Sequence, residues 1–348
     1  MSGGIAQLVA VGAQDAHLVG QPEVSFFRST YKRHTNFAQT VERQVIQGNV
    51  SNNGMSTVRF ERKGDMLGYV YLTINDGTDA QTNSFENLIS KVEVLIGGQV
   101  IDEQDFNFSS RIAVDTLAQN LSKSSDSGIF VGGSNASYFY PLRLFFCENY
   151  QSALPLVALQ YHDVELRITW GSNASAYRWD CYANFIYLDT QERSEMANTP
   201  QNMLIYQVQK SLASGGKVQE VNFNHPVKYL AASNVNASDA LFSTSNKIKL
   251  QINGTDVADY KFAVPNFTDV TAYYHTTNMG DNQSGLGLFL YPFCLDTSKL
   301  QPTGTLNFSR LDSARLLSDG ANFTNDIYGV NYNVLRIQNG MGGLMYAN

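Results

Sequence analysis

The chain predicts an all-β protein of two consecutive sandwiches, and three observations carry that prediction. First, charged residues make up only 16% and aromatic residues 12%, while Tyr, Phe, Asn, Ser, Thr and Gly abound. That composition favours strands and turns over long helices. Second, 348 residues are too many for one ordinary sandwich and enough for two. Third, the stretch from Pro141 to Trp170 encodes apolar pieces separated by a proline corner. Leu142 to Cys147 is an apolar run of the kind a buried strand shows, and Leu154 to Leu159 is a second one that Pro155 bars from being a central helix or strand. From Val164 to Ile168, apolar Val164, Leu166 and Ile168 alternate with Glu165 and Arg167, the period-two signature of a half-buried strand.

Taken in order, the chain opens with an arm, residues 1–22, followed by a first sandwich over 23–190. In the arm, the apolar patch Ile5 to Val11 lacks a basic region before it and is followed by Gln14, Asp15 and His17, so a secretory signal is not expected. No stretch approaches the roughly 20 apolar residues of a membrane span. Val24 to Phe37 interleaves Phe26, Phe27 and Tyr31 with Arg28, Lys32, Arg33 and His34. Stacking rings beside basic groups would suit a nucleic acid. The plainer reading has the rings anchoring a first strand and the basic groups paired with carboxylates on the same chain or a neighbour. It is preferred because the chain carries a net charge of −7 and no second basic cluster supports the first.

Strands are expected over Val41 to Ile46 and Leu67 to Ile74. Glu93 to Asp102 reads as a hairpin, since Gly97-Gly98 can take the positive φ angles of a two-residue primed turn. Arg111 to Leu121 spaces its apolar residues at helical intervals and predicts one short helix across the sandwich, and Ser122 to Ser137 reads as a solvated loop. Cys181 to Leu188 is another strand. The polar run that ends at Asn198-Thr199-Pro200 marks a linker at 191–200. The second sandwich, 201–348, shows strands at Leu204 to Val208, Val218 to Phe223, Tyr229 to Ala232, Lys247 to Ile252, Leu286 to Phe293 and Val334 to Ile337. Gly287 to Cys294, Pro302 and Leu306 to Leu317 repeat the order of the Pro141–Trp170 stretch, which implies two copies of one sandwich.

No constellation of catalytic or ligand-binding residues emerges, so no catalytic, cofactor-binding or metal-ligating residue is assigned. The histidines (His17, His34, His162, His225, His275) are scattered, whereas a zinc site needs three or four converging ligands. Cys147, Cys181 and Cys294 are an odd, widely spaced set that suits buried small hydrophobes in a reducing compartment. Cys147, in an apolar run, is placed badly for a thiolate, and no serine sits in a nucleophile elbow. Asp102, Glu103 and Asp105 form the densest acidic group, and a glycosidase uses two carboxylates at a fixed separation, but neighbouring strand residues point to opposite faces and the expected role is a solvated strand end. Asn75 to Asp79 has calcium-loop residue types without the full spacing and reads as a turn. Phosphate-binding glycine loops are absent; many of the eleven Asn-x-Ser/Thr sequons arise by chance in a chain this rich in Asn, Ser and Thr, and without a secretory signal lumenal glycosylation would not reach them.

Five segments together resemble the major capsid proteins of the nucleocytoplasmic large DNA viruses, most closely those of algal viruses. They are Leu8 to Asp15, Ser25 to Phe37, Val94 to Ile101, Pro141 to His162 (Pro141-Leu142, Phe145 to Cys147 and Ala153 to His162) and Asn224 to Lys228. The resemblance implies two eight-stranded antiparallel jelly rolls with few short helices. It further implies three chains in a pseudo-hexagonal capsomer and an icosahedral shell over an internal membrane. The partners so implied are further copies of the chain, minor capsid and penton proteins, and the membrane through minor proteins. No nucleic acid, small-molecule substrate, cofactor or enzymatic turnover belongs to that picture. The place implied is the virion capsid, assembled in the host cytoplasm. The chain is shorter than many relatives in its loops, which leaves tower height and any receptor role open. Two other functions fit jelly rolls: a carbohydrate-binding module using loop aromatics such as Tyr138, Tyr140 or Tyr177, and a glycoside hydrolase with paired carboxylates. Phe26, Phe27, Phe145, Phe146 and Tyr161 are expected to be core or interface anchors.

Overall fold

The structure is a computed structural model that describes residues 3–74, 85, 87–120, 122–123, 139–235, 238–277 and 287–347. The Asn75–Asp79 turn, most of the Ser122–Ser137 loop and Tyr138 lie outside the described residues. The chain divides into two units, Met1–Asn36 and Phe37–Asn348. The first contains a short helix, Gly3–Val9, and a single turn, Ala16–Val19. The loop between them is tied by the Asp15 carboxylate, which accepts from the Gly12 N–H at 2.7 Å. No strand forms within 24–36; the first one starts at Phe37.

In the second unit, the described residues of the first half carry β1 (Phe37–Gln44), β2 (Ile46–Gln47), β3 (Met55–Arg59), β4 (Met66–Ile74), β5 (Ile89–Ile96), β6 (Gln99–Asp105), β7 (Phe139–Pro141), β8 (Leu154–Pro155), β9 (Val164–Trp170) and β10 (Trp179–Leu188). The second half carries β11 (Gln201–Ser211), β12 (Val218–Glu220), β13 (Pro226–Ser233), β14 (Lys247–Ile252), β15 (Thr255–Asp256), β16 (Lys261–Phe262), β17 (Leu288–Pro292), β18 (Leu306–Asn307), β19 (Ala314–Ser318), β20 (Ile327–Gln338) and β21 (Met341–Leu344). Between the halves, Thr190–Asn198 is helical and starts at an Asp189 cap whose carboxylate accepts from the Thr190 N–H.

Each half is two antiparallel sheets face to face, and the strand orders match. Sheet β1-β10-β4-β7, with β8 on β4, corresponds to β11-β20-β13-β17, with β18 on β13. Sheet β3-β9-β5-β6 corresponds to β12-β19-β14-β15. Eight equivalent positions per half are the jelly-roll arrangement. The hairpins match too: β5–β6 turns through Gly97 (φ 58°) and Gly98 (φ 83°), and β14–β15 through Asn253 (φ 49°) and Gly254 (φ 79°). Both turns take left-handed angles at two successive residues, as a primed turn needs.

The first core packs Leu67, Val70, Leu72 and Phe185 against Val58, Val94, Leu166, Ile168 and Trp170. The second packs Leu230, Ala232, Phe289 and Ile327 against Ile248, Leu250 and Leu316. Alternation decides which side chains enter: β9 throughout, and β4 from Tyr69 to Ile74, bury every second residue, as the sequence predicts for β9. β13 and β20 instead bury both faces along most of their length. The covering element is the helical segment after β6, a π-helical turn at Phe108–Ile112 running into Ala113–Thr116. Its Phe108, Ile112, Ala113 and Leu117 form a third core with Tyr229, Ala231, Leu290, Tyr328 and Val330 on the outer face of the second roll. The helix expected over Arg111 to Leu121 therefore begins earlier, ends sooner, and joins the two rolls instead of lying across one.

A further expectation is corrected. Leu142–Cys147 is not a strand; after the short β7 it is a buried turn, with the Cys147 N–H donating to the Leu144 carbonyl. Its apolar run marks burial on all sides, which a turn shares with a core strand. Pro155 does end the bridge β8, and Leu156–Ala158 follows as a 3₁₀ turn, giving the corner that the prolines imply.

Candidate assembly surfaces

The most elaborate polar arrangement lies where the two rolls meet. Asp102, expected at a solvated strand end, is buried; Glu103 beside it faces outward. The Asp102 carboxylate accepts from the Val208 N–H of β11 at 2.9 Å and from Gln104 Nε2 at 2.8 Å. Gln207 Nε2 donates to the Ile101 carbonyl. Asp105 accepts from Lys210 Nζ at 2.9 Å and from the Tyr328 hydroxyl at 2.6 Å. The edge of β11 is thus capped by β6, and the acidic group is a joint between rolls. Burial pushes the Asp102 carboxyl up to about 7 against these hydrogen bonds, and pushes the Tyr328 and Tyr206 hydroxyls further up from their ordinary range. The signal in the sequence was Asp102 and Gln104 on one face of a strand whose other face carries Glu103.

The Pro141–Cys147 turn supports the same joint. Arg143 forms a buried ion pair with Glu148 at 3.3 Å, and its carbonyl accepts from Gln104 Nε2 and from the Tyr206 hydroxyl of β11. Lys228 lies buried nearby at the bulge of β13, donating to the Thr297 carbonyl at 3.0 Å with the Tyr332 ring 5.1 Å away. Burial lowers its pKa to about 8. Phe145, Glu148, Leu204 and Thr297 line a space of about 30 Å³ beside it, room for a water and not for an organic ligand.

The remaining residues singled out from the sequence are dispersed. His162 sets Nδ1 2.9 Å from the Gly342 carbonyl, so it too joins the rolls. His225 is a buried turn residue with φ 65°. His275 Nδ1 lies 3.2 Å from the Leu295 carbonyl, His34 Nδ1 lies 2.7 Å from the Thr35 carbonyl, and His17 is in the Ala16–Val19 turn. Among the described residues no three His, Cys, Asp or Glu side chains converge as metal ligands. Cys147, Cys181 and Cys294 are free thiols, and burial raises all three, Cys181 to about 12. Among the described residues no helix is long and apolar enough to cross a membrane.

The expected anchors separate into two groups. Phe145 and Phe146 are core residues in edge-to-face contact, 5.2 Å between centroids. Phe26, Phe27 and Tyr161 are exposed and belong to no core of the single chain. Tyr140, offered as a loop aromatic for sugar binding, is buried between Phe85 and Phe106, and Tyr177 packs partly against the first core. Arg28, Lys32 and Arg33 form no ion pair with a described carboxylate of the chain, which leaves a neighbouring chain as the other source of partners expected for them. Sequence reasoning missed a second exposed group: Val270, Tyr273 and Tyr274 on the Asp269–His275 helix, with adjacent tyrosines as its only signal.

Two jelly rolls welded by buried polar contacts define a double jelly-roll protein. Comparison with known proteins supplies the family. Residues 25–199 match the family described as major capsid protein N-terminus, and residues 231–343 match the large eukaryotic DNA virus major capsid protein. The chain belongs to the major capsid proteins of large eukaryotic DNA viruses, which places it in the virion capsid. The major capsid protein of Pyramimonas orientalis virus is 33% identical and that of Paramecium bursaria Chlorella virus 1 is 30% identical, each aligned over all of both chains. Among solved structures, the quasi-atomic model of the PBCV-1 virus capsid superposes with a TM-score of 0.74 at 28% identity, covering 93% of this chain and 100% of that one. This is a structural family and not an enzyme family.

Proposed function

We propose that three copies of the chain form a pseudo-hexagonal capsomer, and that capsomers tile an icosahedral shell over an internal membrane, assembled in the host cytoplasm. The observation that carries this reading is the matched strand order of the two rolls. Three chains with two equivalent rolls each give a near-hexagonal outline, which packs in a plane from a single gene product. In this reading the chain divides into an arm, a first roll to 190, a linker and a second roll from 201. The arm, with exposed Phe26, Phe27 and Tyr31 among Arg28, Lys32 and Arg33, faces inward to minor capsid and penton proteins and, through them, the membrane. The trimer interface falls in the obligate class of roughly 2,000–5,000 Å², and contacts between capsomers are smaller and more polar, so the lattice can correct errors.

The test is the solution mass of the purified chain by light scattering, with negative-stain images of the same sample. Three chains with a six-sided outline are expected, and a stable folded monomer would overturn the reading. Salt-dependent DNA binding lost on replacing Arg28, Lys32 and Arg33 would overturn the role given to the arm.

A further inference from the structure

The joint within the chain has two halves, and an equivalent of each half is left exposed. On the receiving side, the outer face of β13, β17 and β20 presents Tyr229, Leu290 and Tyr328, all buried beneath the helical segment that follows β6. The equivalent face in the first roll belongs to β4, β7 and β10. It carries Tyr69, Tyr71, Phe139 and Tyr182, with Tyr71 stacked on Tyr182 at 5.4 Å and edge-on to Phe139 at 6.2 Å. Among the described residues of this unit nothing of comparable size covers this cluster: its tyrosines are half-buried and Phe139 is exposed. An aromatic sheet face open to water is a standing cost that a partner would remove.

On the inserting side, the segment after β6 has its equivalent after β16, in the turn Ala263–Asn266 and the helix Asp269–His275. Phe108, Ile112 and Leu117 of the first roll are buried against the second roll, whereas Val270, Tyr273 and Tyr274 point outward, 42%, 68% and 71% exposed. The strand edges repeat the pattern. β6 caps β11, while among the described residues β1, the counterpart of β11, pairs only with β10 and exposes Val41; β15 and the residues after it expose Val257, Tyr260 and Phe262.

From this we infer that the Asp269–His275 helix of one copy seats on the Tyr69–Tyr71–Phe139–Tyr182 face of the next, repeating between chains the joint that holds the two rolls together within one. The inference rests on the trimer reading and specifies its contact. The occupant is a second copy because the chain itself carries both unmatched halves, and both are aromatic. A head-to-tail contact of this kind uses different surfaces on the two partners, and it ends growth only if the ring closes.

The test pairs Phe139→Cys with Tyr273→Cys in the full chain and bridges them with a short bis-maleimide after assembly. Covalent species up to three chains are expected from the double variant and not from either single variant or the wild type. A sample whose mass is three chains but which gives no such ladder would overturn this contact and leave the trimer standing. Cross-linking by Phe139→Cys alone would show sheet face against sheet face and overturn it too, and a wild-type mass of one chain would overturn both readings. In parallel, Tyr274→Glu, at an exposed position, should keep the wild-type melting curve of the monomer fold while reducing the trimer population at least tenfold on dilution. An undiminished trimer would count against the helix as the contact.

Discussion

Asp102 is the residue at which burial and charge oppose each other most directly. Its carboxyl is raised from an unfolded value near 3.9 to about 7 in the folded chain, so the folded state binds the proton more tightly. The sign follows from linkage: this group favours folding fully below about pH 4, and that contribution is lost as pH rises through about 7. Lys228 runs the opposite way. Its pKa is lowered to about 8, so the unfolded chain binds more protons between about 8 and 10.5, and stability rises with pH across that window. Asp102→Asn should therefore shrink the fall in melting temperature between pH 5 and pH 8, measured by circular dichroism at fixed salt; an unchanged slope would refute the assignment. Phe146 is a simpler case, fully buried against Phe145, and Phe146→Ala should cost about 3–5 kcal/mol in denaturant unfolding. Its burial was legible, since two phenylalanines inside an apolar run have few other places to go. That of Asp102 and Tyr140 was not, because each is covered by chain distant in sequence, Val208 of β11 and Phe85 with Phe106 respectively.

Among elements, the β5–β6 hairpin was legible down to its turn, because positive φ at two successive positions leaves glycine as the cheapest choice. The two glycines are not equivalent. A Cβ at Gly97 would lie 2.5 Å from the His162 ring, whereas one at Gly98 would meet nothing within 4 Å. Gly98→Ala should therefore cost only the left-handed backbone term, roughly 1–2 kcal/mol. Gly97→Ala should cost clearly more, since His162 is held at the Gly342 backbone and cannot simply swing aside. Equal losses in paired thermal melts would mean that His162 yields freely. The β9 strand was legible from its alternation for the same physical reason, one face dry and one wet. The Leu142–Cys147 turn and the doubly buried β13 and β20 were harder, because full burial erases the period that distinguishes a strand from a turn or helix. A helix was legible over Arg111 to Leu121, displaced from the observed Phe108–Thr116 segment, but its partner, a sheet more than a hundred residues later, leaves no mark in the local pattern.

For the whole molecule, the joint determines whether the two rolls behave as two bodies or one. Besides the polar contacts of Asp102, Asp105 and Arg143, three further sets of contacts among the described residues cross it. Ile205, Leu335 and Ile337 of the second roll complete the first core. Phe108, Ile112 and Leu117 of the first roll cover the second sheet. The Tyr161 N–H and His162 ring meet the backbone of the β20–β21 hairpin at Gly340 and Gly342. Apolar burial of this extent, with Asp102 and Asp105 hydrogen-bonded into it, couples the stabilities of the halves, because neither can unfold without uncovering the other. The monomer should therefore melt in one calorimetric transition whose van't Hoff and calorimetric enthalpies agree. Ile112→Asp would place an unpaired carboxylate between the rolls without touching either sandwich core. It should split the transition in two, with the second roll, stripped of the cover on β13 and β20, melting first. A single transition in that variant, merely shifted to lower temperature, would instead mean that Ile205, Leu335 and Ile337 suffice to keep the halves coupled, and that the helical segment stabilises the joint without controlling its cooperativity.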